Sequence, residues 1–255
     1  MLNQMLFTSS YWTPASIPTV FWYDAADSST ITATNTVTNE VTNVVDKSGN
    51  NRTLVRAGGQ TGPLTRTRTL NNLNVLEWST SHCLQNAAFT HDQANMPLNI
   101  AIVTQVDAAP SIQCFFMAGS TSTLAGKRLS VRSATSGLLE ILGGDGVATS
   151  SLFCGTYIRT QPNIVLIKFN AANSACRMNG SSVATTGSLG TNAFSILSWG
   201  HNEGESADLI GYLGEMIAFT DNTNQEIVEG YLAWKWGIVN NLPEAHPYKN
   251  TAPRL

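Results

Sequence analysis

Along most of the chain, apolar and polar residues alternate in short runs that are broken by Gly, Asn, Asp and Ser. The runs "TVFWYDA", "VLEWS", "NIAIVTQV", "QCFFMAG", "RLSVRS", "LLEILGG", "LFCGTYI", "NIVLIKFNA", "ACRMNG", "FSILSWG" and "GYLGEMIAF" each have the length and two-residue period of a strand. One of them, "PNIVLIKF", is apolar on both faces and predicts a strand in the middle of a sheet. In "SACRMNGSSVAT", Asn179 and Gly180 both tolerate positive φ, so a type I′ turn and a tight hairpin are expected there. Further turns are expected at 49–51 and 143–146. Residues 28–43 come close to low complexity, yet their Thr and Val content permits a strand with Val37 and Val41 on one face. Many short strands between turn signals predict an antiparallel sandwich or barrel.

The period changes once. After "GEMIAF" and a polar turn, Ile227, Tyr231, Trp234 and Ile238 recur at helical spacing, with Val228 and Leu232 widening the stripe. Thr223 with Glu226 fits a capping box at the start. Gly237 and Pro243 are stop signals, after which "LPEAHPYKN" should run extended. Such a stripe needs burial, and the helix is expected to seal a sheet edge or one open end of the sandwich. That role is structural.

Composition narrows the picture. At 255 residues one domain is expected from residue 11 to 255, with residues 1–10 as an N-terminal arm that orders against another chain. Hydrophobic residues at 42% can fill a core, whereas charged residues at 12% are about half the usual share for a soluble protein. The surface must therefore rest on Ser, Thr, Asn and Gly. A net charge of -3 with no basic run argues against a nucleic-acid partner. Arg66 and Arg68 in "LTRTRTL" read as the solvated face of a strand. No apolar stretch approaches about 18 residues, so no membrane partner is expected, and "MLNQMLF" lacks the basic start of an export leader. Cys83, Cys114, Cys154 and Cys176 form no CxxC. The last three sit in strand-like context and read as reduced, buried thiols rather than disulfides.

"WTPASIPTVFWYDAADSSTIT", "VVDKSGNNRTLVRA", "LNNLNVLEW" and "YLGEMIAFTDNTNQEIVEGYLAWKWGIVNNLPEAHPYKN" resemble, in that order, the concanavalin A-like lectin/glucanase (laminin G-like) modules of tailed-phage virion proteins and bacterial surface proteins. The likeness runs from Trp12 to Asn250, and "EGYLAWKWG" with "LPEAHPYKN" is its most specific part. It implies an all-β, two-sheet antiparallel jelly-roll sandwich with one C-terminal helix. That fold hosts lectins, glycosidases, adhesins and spacers alike. Where relatives read "FDGSDDYL", this chain has "WSTSHCL" from Trp78 to Leu84, without the Gly and acidic residues, so a metal role for that loop does not carry over. Asp24, Asp27 and Asp46, with Gly49 and Asn50, read as Asx-type turns rather than calcium ligands.

Chemistry is sparse. Glycosidases of this fold hold carboxylates on one strand in an E-x-D-x-x-E arrangement, which is absent. Glu203, Glu205 and Asp208 read as a loop, and Glu215 lies on a strand beside the apolar Leu213, Ile217 and Phe219. His82, His91, His201 and His246 occur in no nucleophile or zinc motif, and His201 with Glu203 is too small a set to hold a metal. No catalytic residue, metal or cofactor is therefore expected. Sugar binding needs exposed rings beside polar groups. Trp22, Trp78, Trp199, Trp234 and Trp236 read mostly as packing residues, which leaves Trp12, Tyr157 and His82 as candidate glycan contacts. Leu2, Met5, Leu6 and Phe7, with Met1, are candidates for an assembly arm. The leading expectation is a non-enzymatic tailed-phage virion surface protein, assembled in the host cytoplasm, that contacts other virion proteins in particle assembly or decoration. A homo-oligomer is expected, with a trimer favoured. The alternative is an adhesin that binds host surface glycans.

Overall fold

The computed structural model describes residues 11–34, 38–91, 97–107, 112–119, 128–144, 149–182, 187–190, 194–200 and 207–255. The arm residues Leu2, Met5, Leu6 and Phe7 lie outside that set, as do Val37, Asp145, Gly146, His201, Glu203 and Glu205. The strands run in the order β1 (Thr19–Asp24), β2 (Ile31–Ala33), β3 (Val41–Val44), β4 (Leu54–Arg56), β5 (Thr69–Leu70), β6 (Leu73–Asn74), β7 (Leu76–Trp78), β8 (Leu84–His91) and β9 (Leu98–Val106). They continue as β10 (Gln113–Gly119), β11 (Arg128–Ser133), β12 (Leu138–Gly144), β13 (Thr149–Thr156), β14 (Asn163–Phe169), β15 (Ala175–Met178), β16 (Ser181–Ser182), β17 (Phe194–Trp199) and β18 (Gly211–Phe219). The helix α1 (Gln225–Lys235) follows.

Two large sheets form the sandwich. One has the order β1-β18-β9-β14-β15-β16, with β7 also paired to β18, and the other runs β13-β12-β11-β10-β17-β8-β4-β3-β2. The fold is an all-β, antiparallel two-sheet jelly roll with a C-terminal helix. Between the sheets lies one core, in which Phe21, Tyr23, Phe89, Phe115, Phe116, Trp78 and Trp199 pack with the inward residues of β9, β14 and β18. The four cysteines are buried and unbridged.

"PNIVLIKF" becomes β14, flanked by β9 and β15, and every residue of it except Lys168 is buried. Its apolarity on both faces has a second cause: a helix covers the outside of this sheet. Asn179 at φ 50 and Gly180 at φ 79 form the predicted turn, with Met178 paired to Ser181 across it. Strand β8 was not legible, because its pairing with β17 steps from Asn86 to Thr90 while β17 advances only from Leu197 to Ser195. That irregularity breaks the alternation in "LQNAAFTH". "LTRTRTL" corrects the expectation of a solvated strand face. Arg66 sits in a left-handed turn at φ 63, and Arg68 forks onto Asp107 at 2.7 and 3.0 Å while stacking on Tyr212.

The helix is also a correction in place and in cap. It lies across the outer face of the seven-stranded sheet, because Ala101, Val103, Ile164, Leu166, Ile217 and Phe219 point outward there and need cover. Val228, Tyr231, Leu232 and Trp236 supply the cover, while Trp234 is only half-buried. No capping box forms. Asp221 instead accepts from the backbone and hydroxyl of Thr223 at 2.8 Å each, two residues earlier than predicted.

Candidate functional site

The covered face explains the tryptophans of the helix. Glu215, fully buried on β18, accepts from Trp22 Nε1 at 2.7 Å, Trp236 Nε1 at 2.9 Å, the Tyr231 hydroxyl at 3.1 Å and Lys235 Nζ at 2.7 Å. Its position depends on Gly214. The pairing of β18 with β9 shifts between Leu213 and Glu215, so Leu213 faces the inter-sheet core and Glu215 faces the helix with Ile217 and Phe219. Leu213 is thus not on the face of Glu215, contrary to simple alternation. Lys235 also reaches Asp24 at 2.7 Å, and Lys47 bridges Asp24 and Asp27 at 2.9 and 2.7 Å, forming a chain of alternating charge from the interior to the surface. Burial, joined by the Asp24 charge, pushes the Glu215 carboxyl up against the pull of Lys235. At Asp24 burial also pushes upward, but Lys235 and Lys47 outweigh it and hold the carboxyl below its usual value.

A second buried carboxylate ties the tail down. Glu229 accepts from Arg177 Nε on both oxygens, at 2.9 and 3.0 Å, and faces His246 Nε2 at 3.5 Å. His246 packs against the β15–β16 turn, where a side chain at Gly180 would meet His246, Leu242 and Pro243. The tail therefore straps the helix to the sheet.

The aspartates read as turn caps are turn caps. Asp46 accepts from the backbone N–H groups of Trp22, Ser48 and Arg52, and Asp27 accepts from that of Ser29. The Lys47 ammonium lies between Asp24 and Asp27 and balances their charge together with Lys235. No group of three or more metal-ligating side chains occurs among the described residues. The loop from Trp78 to Leu84 is closed by Ser79 N–H donating to His82 Nδ1 and Ser81 N–H donating to Asp208, at 3.0 and 2.9 Å.

The nine-stranded sheet presents a different outer face. Its register lines up Cys114 of β10, Arg132 of β11, Glu140 of β12 and Phe153 of β13. Phe153 must point outward, since Leu152 and Cys154 on either side belong to the core between the sheets. Arg132 Nε donates to Glu140 Oε2 at 2.8 Å, with the two side chains 12% and 9% exposed. Directly across from Glu140, Phe153 is 51% exposed. It is the one exposed aromatic among the residues whose side chains are described.

Two of the three predicted glycan contacts are corrected. Trp12 is buried, edge-on to the Tyr231 ring at 5.7 Å, because it closes the margin of the layer between helix and sheet. Tyr157 is buried against Phe115, with its hydroxyl donating to the Thr104 carbonyl at 3.3 Å, and burial pushes its pKa up. Neither ring has a face for a sugar. His82 is half-buried, and burial pushes its imidazole down. It stands apart from the Arg132, Glu140 and Phe153 row in the register. The signal for Phe153 was present in "LFCGTYI", as the outward position between two core residues.

No family model matches the chain, and no curated protein does. Among solved structures it is similar to a Trypanosoma rangeli sialidase in complex with the inhibitor DANA, with a TM-score of 0.55 at 12% identity over 85% of this chain and 34% of that one. A mutant of that sialidase displaying trans-sialidase activity gives 0.54 at 12% identity, over 79% and 30% of the two chains. The CBM40 of a Ruminococcus gnavus IT-sialidase gives 0.43 at 14% identity, over 57% and 90%. This chain spans about a third of the length of the sialidase chains it matches. What the sialidase matches establish is a shared β-sandwich fold.

Proposed function

We propose that the chain is a non-enzymatic carbohydrate-binding module that holds a sugar against the outer face of its nine-stranded sheet. Phe153 stacks on the apolar face of the sugar ring, and polar groups of the neighbouring strands bond its hydroxyls. The observation that carries this reading is Phe153, the one exposed aromatic ring among the residues whose side chains are described, set directly across the strands from the largely buried Glu140. A ring exposed over half its surface contributes little to the core and leaves a face open to a ligand. The sandwich shared with sialidase chains agrees with a sugar ligand as an analogy of fold.

Binding is favoured over hydrolysis by the state of several carboxylates among the described residues. Glu215 is held by Lys235, Glu229 by Arg177, Glu140 by Arg132, Glu40 by Arg56 and Asp107 by Arg68. Carboxylates locked in ion pairs are poorly placed to share acid and base duties at a glycosidic bond. The sequence resemblance adds a setting to the proposal, a virion surface on which the module would contact host glycans. Assembly through Leu2, Met5, Leu6 and Phe7, and a trimeric state, belong to that setting. The test is a glycan array probed with the wild-type chain and with Phe153→Ala. Retention of at least one glycan by the wild type and its loss in the variant is expected; an array blank for both, or equal signals, contradicts the proposal.

A further inference from the structure

We infer that two copies of this chain join edge to edge along β13, in antiparallel register about a two-fold axis at Ser151. The inference goes beyond the carbohydrate-binding reading and does not depend on it. The two large sheets have four end strands, β1, β16, β13 and β2. An end strand leaves a row of backbone N–H and C=O groups open to pairing, and proteins blunt such rows with cover, brevity, charge or proline. Three of the four are blunted here. The loop after β3 covers β1: Asp46 accepts from the Trp22 N–H at 2.9 Å, and the Lys47 N–H donates to the Trp22 carbonyl at 2.8 Å. Arg52 and Asn50 donate to the Val20 carbonyl at 2.8 and 3.1 Å. β16 and β2 are only two and three residues long. By contrast β13 has eight residues, "TSSLFCGT", with no charge and no proline, and β12 is its one strand partner among the described residues. Its bulge lies beyond Phe153, where Phe153 pairs with Glu140 but Thr156 with Leu138, so residues 149–153 keep unbroken register. Of the five exposed large apolar side chains among the described residues, Phe153 stands on β13 and Ile158 two residues past its end.

A second copy suits this edge better than a charged partner. The strand offers no charge for such a partner to pair with, whereas an identical strand meets it without like charges, despite the net charge of -3 on each chain. Antiparallel pairing of identical strands creates a two-fold axis perpendicular to the sheet. The contact closes on itself and leaves neither edge open. The five regular residues centre on Ser151, which is exposed and points outward because Leu152 beside it belongs to the core. Ser151 of each copy thus faces Ser151 of the other. Both Phe153 rings stay on the outer face, roughly 14 Å apart at about 3.4 Å per residue, so the joined sheet carries two sugar platforms side by side.

The experiment weighs the wild-type chain by light scattering over a dilution series. An even number of copies is expected, because β13 joins copies in pairs whatever the N-terminal arm contributes. A single copy or an odd number at every concentration overturns the inference. Ser151→Lys sets like charges across the two-fold axis at an exposed position and should raise the dissociation constant of the pair about tenfold or more. An unchanged constant contradicts the contact. Ser151→Cys reads the register itself: opposed Cα atoms on antiparallel strands lie about 4.5–5.5 Å apart, within reach of a disulfide. The four native thiols are buried, so glutathione disulfide should link the variant into pairs joined at position 151. Failure to link overturns the register. Pairs that form while the glycan array stays blank retire the carbohydrate reading alone, and a lone copy that binds glycan retires this inference alone.

Discussion

Each sheet of the sandwich carries an ion-paired carboxylate on its outer face, and the two have opposite fates. Glu215 on β18 is roofed by the helix and surrounded by Trp22, Tyr231, Lys235 and Trp236, whereas Glu140 on β12 keeps a margin of solvent beside the exposed Phe153. Similar chemistry does different work according to what covers it. Under the helix the carboxylate fixes the docking of one element on another, since the donors around it come from β1, from α1 and from Trp236 at the helix C-cap. On the other sheet the Arg132–Glu140 pair joins neighbouring strands beside the exposed Phe153. Burying an ion pair brings little net stability, but breaking one is costly. The covered pair should therefore dominate stability measurements, and the exposed Phe153 binding measurements.

The largest expected effect breaks the covered side. Lys235→Met leaves Glu215 and Asp24 buried without their shared cation, and a loss of about 3–5 kcal/mol in urea unfolding is expected. A change below about 1 kcal/mol would mean that the network is not sealed. Trp236→Ala should cost about 3–5 kcal/mol, as large buried aromatics do. Trp234→Ala should cost less, about 1–2 kcal/mol, because the ring is half-buried and gives up one bond to the Tyr248 carbonyl. Equal effects of the two would show that the helix is rotated from the packing described.

Acid should sharpen the contrast further. Lys235 and Lys47 hold Asp24 below its usual range against burial, and a hydrogen bond from Lys47 does the same for Asp27. Groups lowered in the folded state lend stability that is present above their unfolded pKa of about 3.9 and lost as pH falls through the folded value. Glu215, raised by burial, has the opposite sign: its contribution is full below about 4.3 and is lost as pH rises through its folded value. Melting temperature should therefore fall as pH drops below about 4, and Asp27→Asn should flatten that limb. An unchanged slope in the variant would remove Asp27 from the network.

Much of this was legible in the chain. The alternating runs located most strands, and "MNG" set the β15–β16 hairpin, because backbone constraints at Asn179 and Gly180 are local. The role of "AWKW" was not, since it depends on a carboxylate some twenty residues earlier that a bulge at Gly214 turns toward the helix. The shift falls on a glycine, so the apolar pattern of "GYLGEMIAF" does not show it. For the open face, Phe153 lay in a recognised strand, but its surroundings come from Arg132 and Glu140 on two other strands. Trp12 and Tyr157 were misjudged because exposure is set by distant neighbours, Tyr231 for one and Phe115 for the other.

The smallest effect on stability is expected at the residue that matters most for binding. Phe153→Ala removes an exposed ring from an edge strand, so unfolding free energy should change by no more than about 0.5 kcal/mol. Measured side by side, calorimetric titration of a glycan retained on the array should show binding to the wild type and a loss of about tenfold or more in the variant. A variant that melts with the wild type yet fails to bind confirms that the open face is the ligand face. A variant that binds with undiminished affinity contradicts that account.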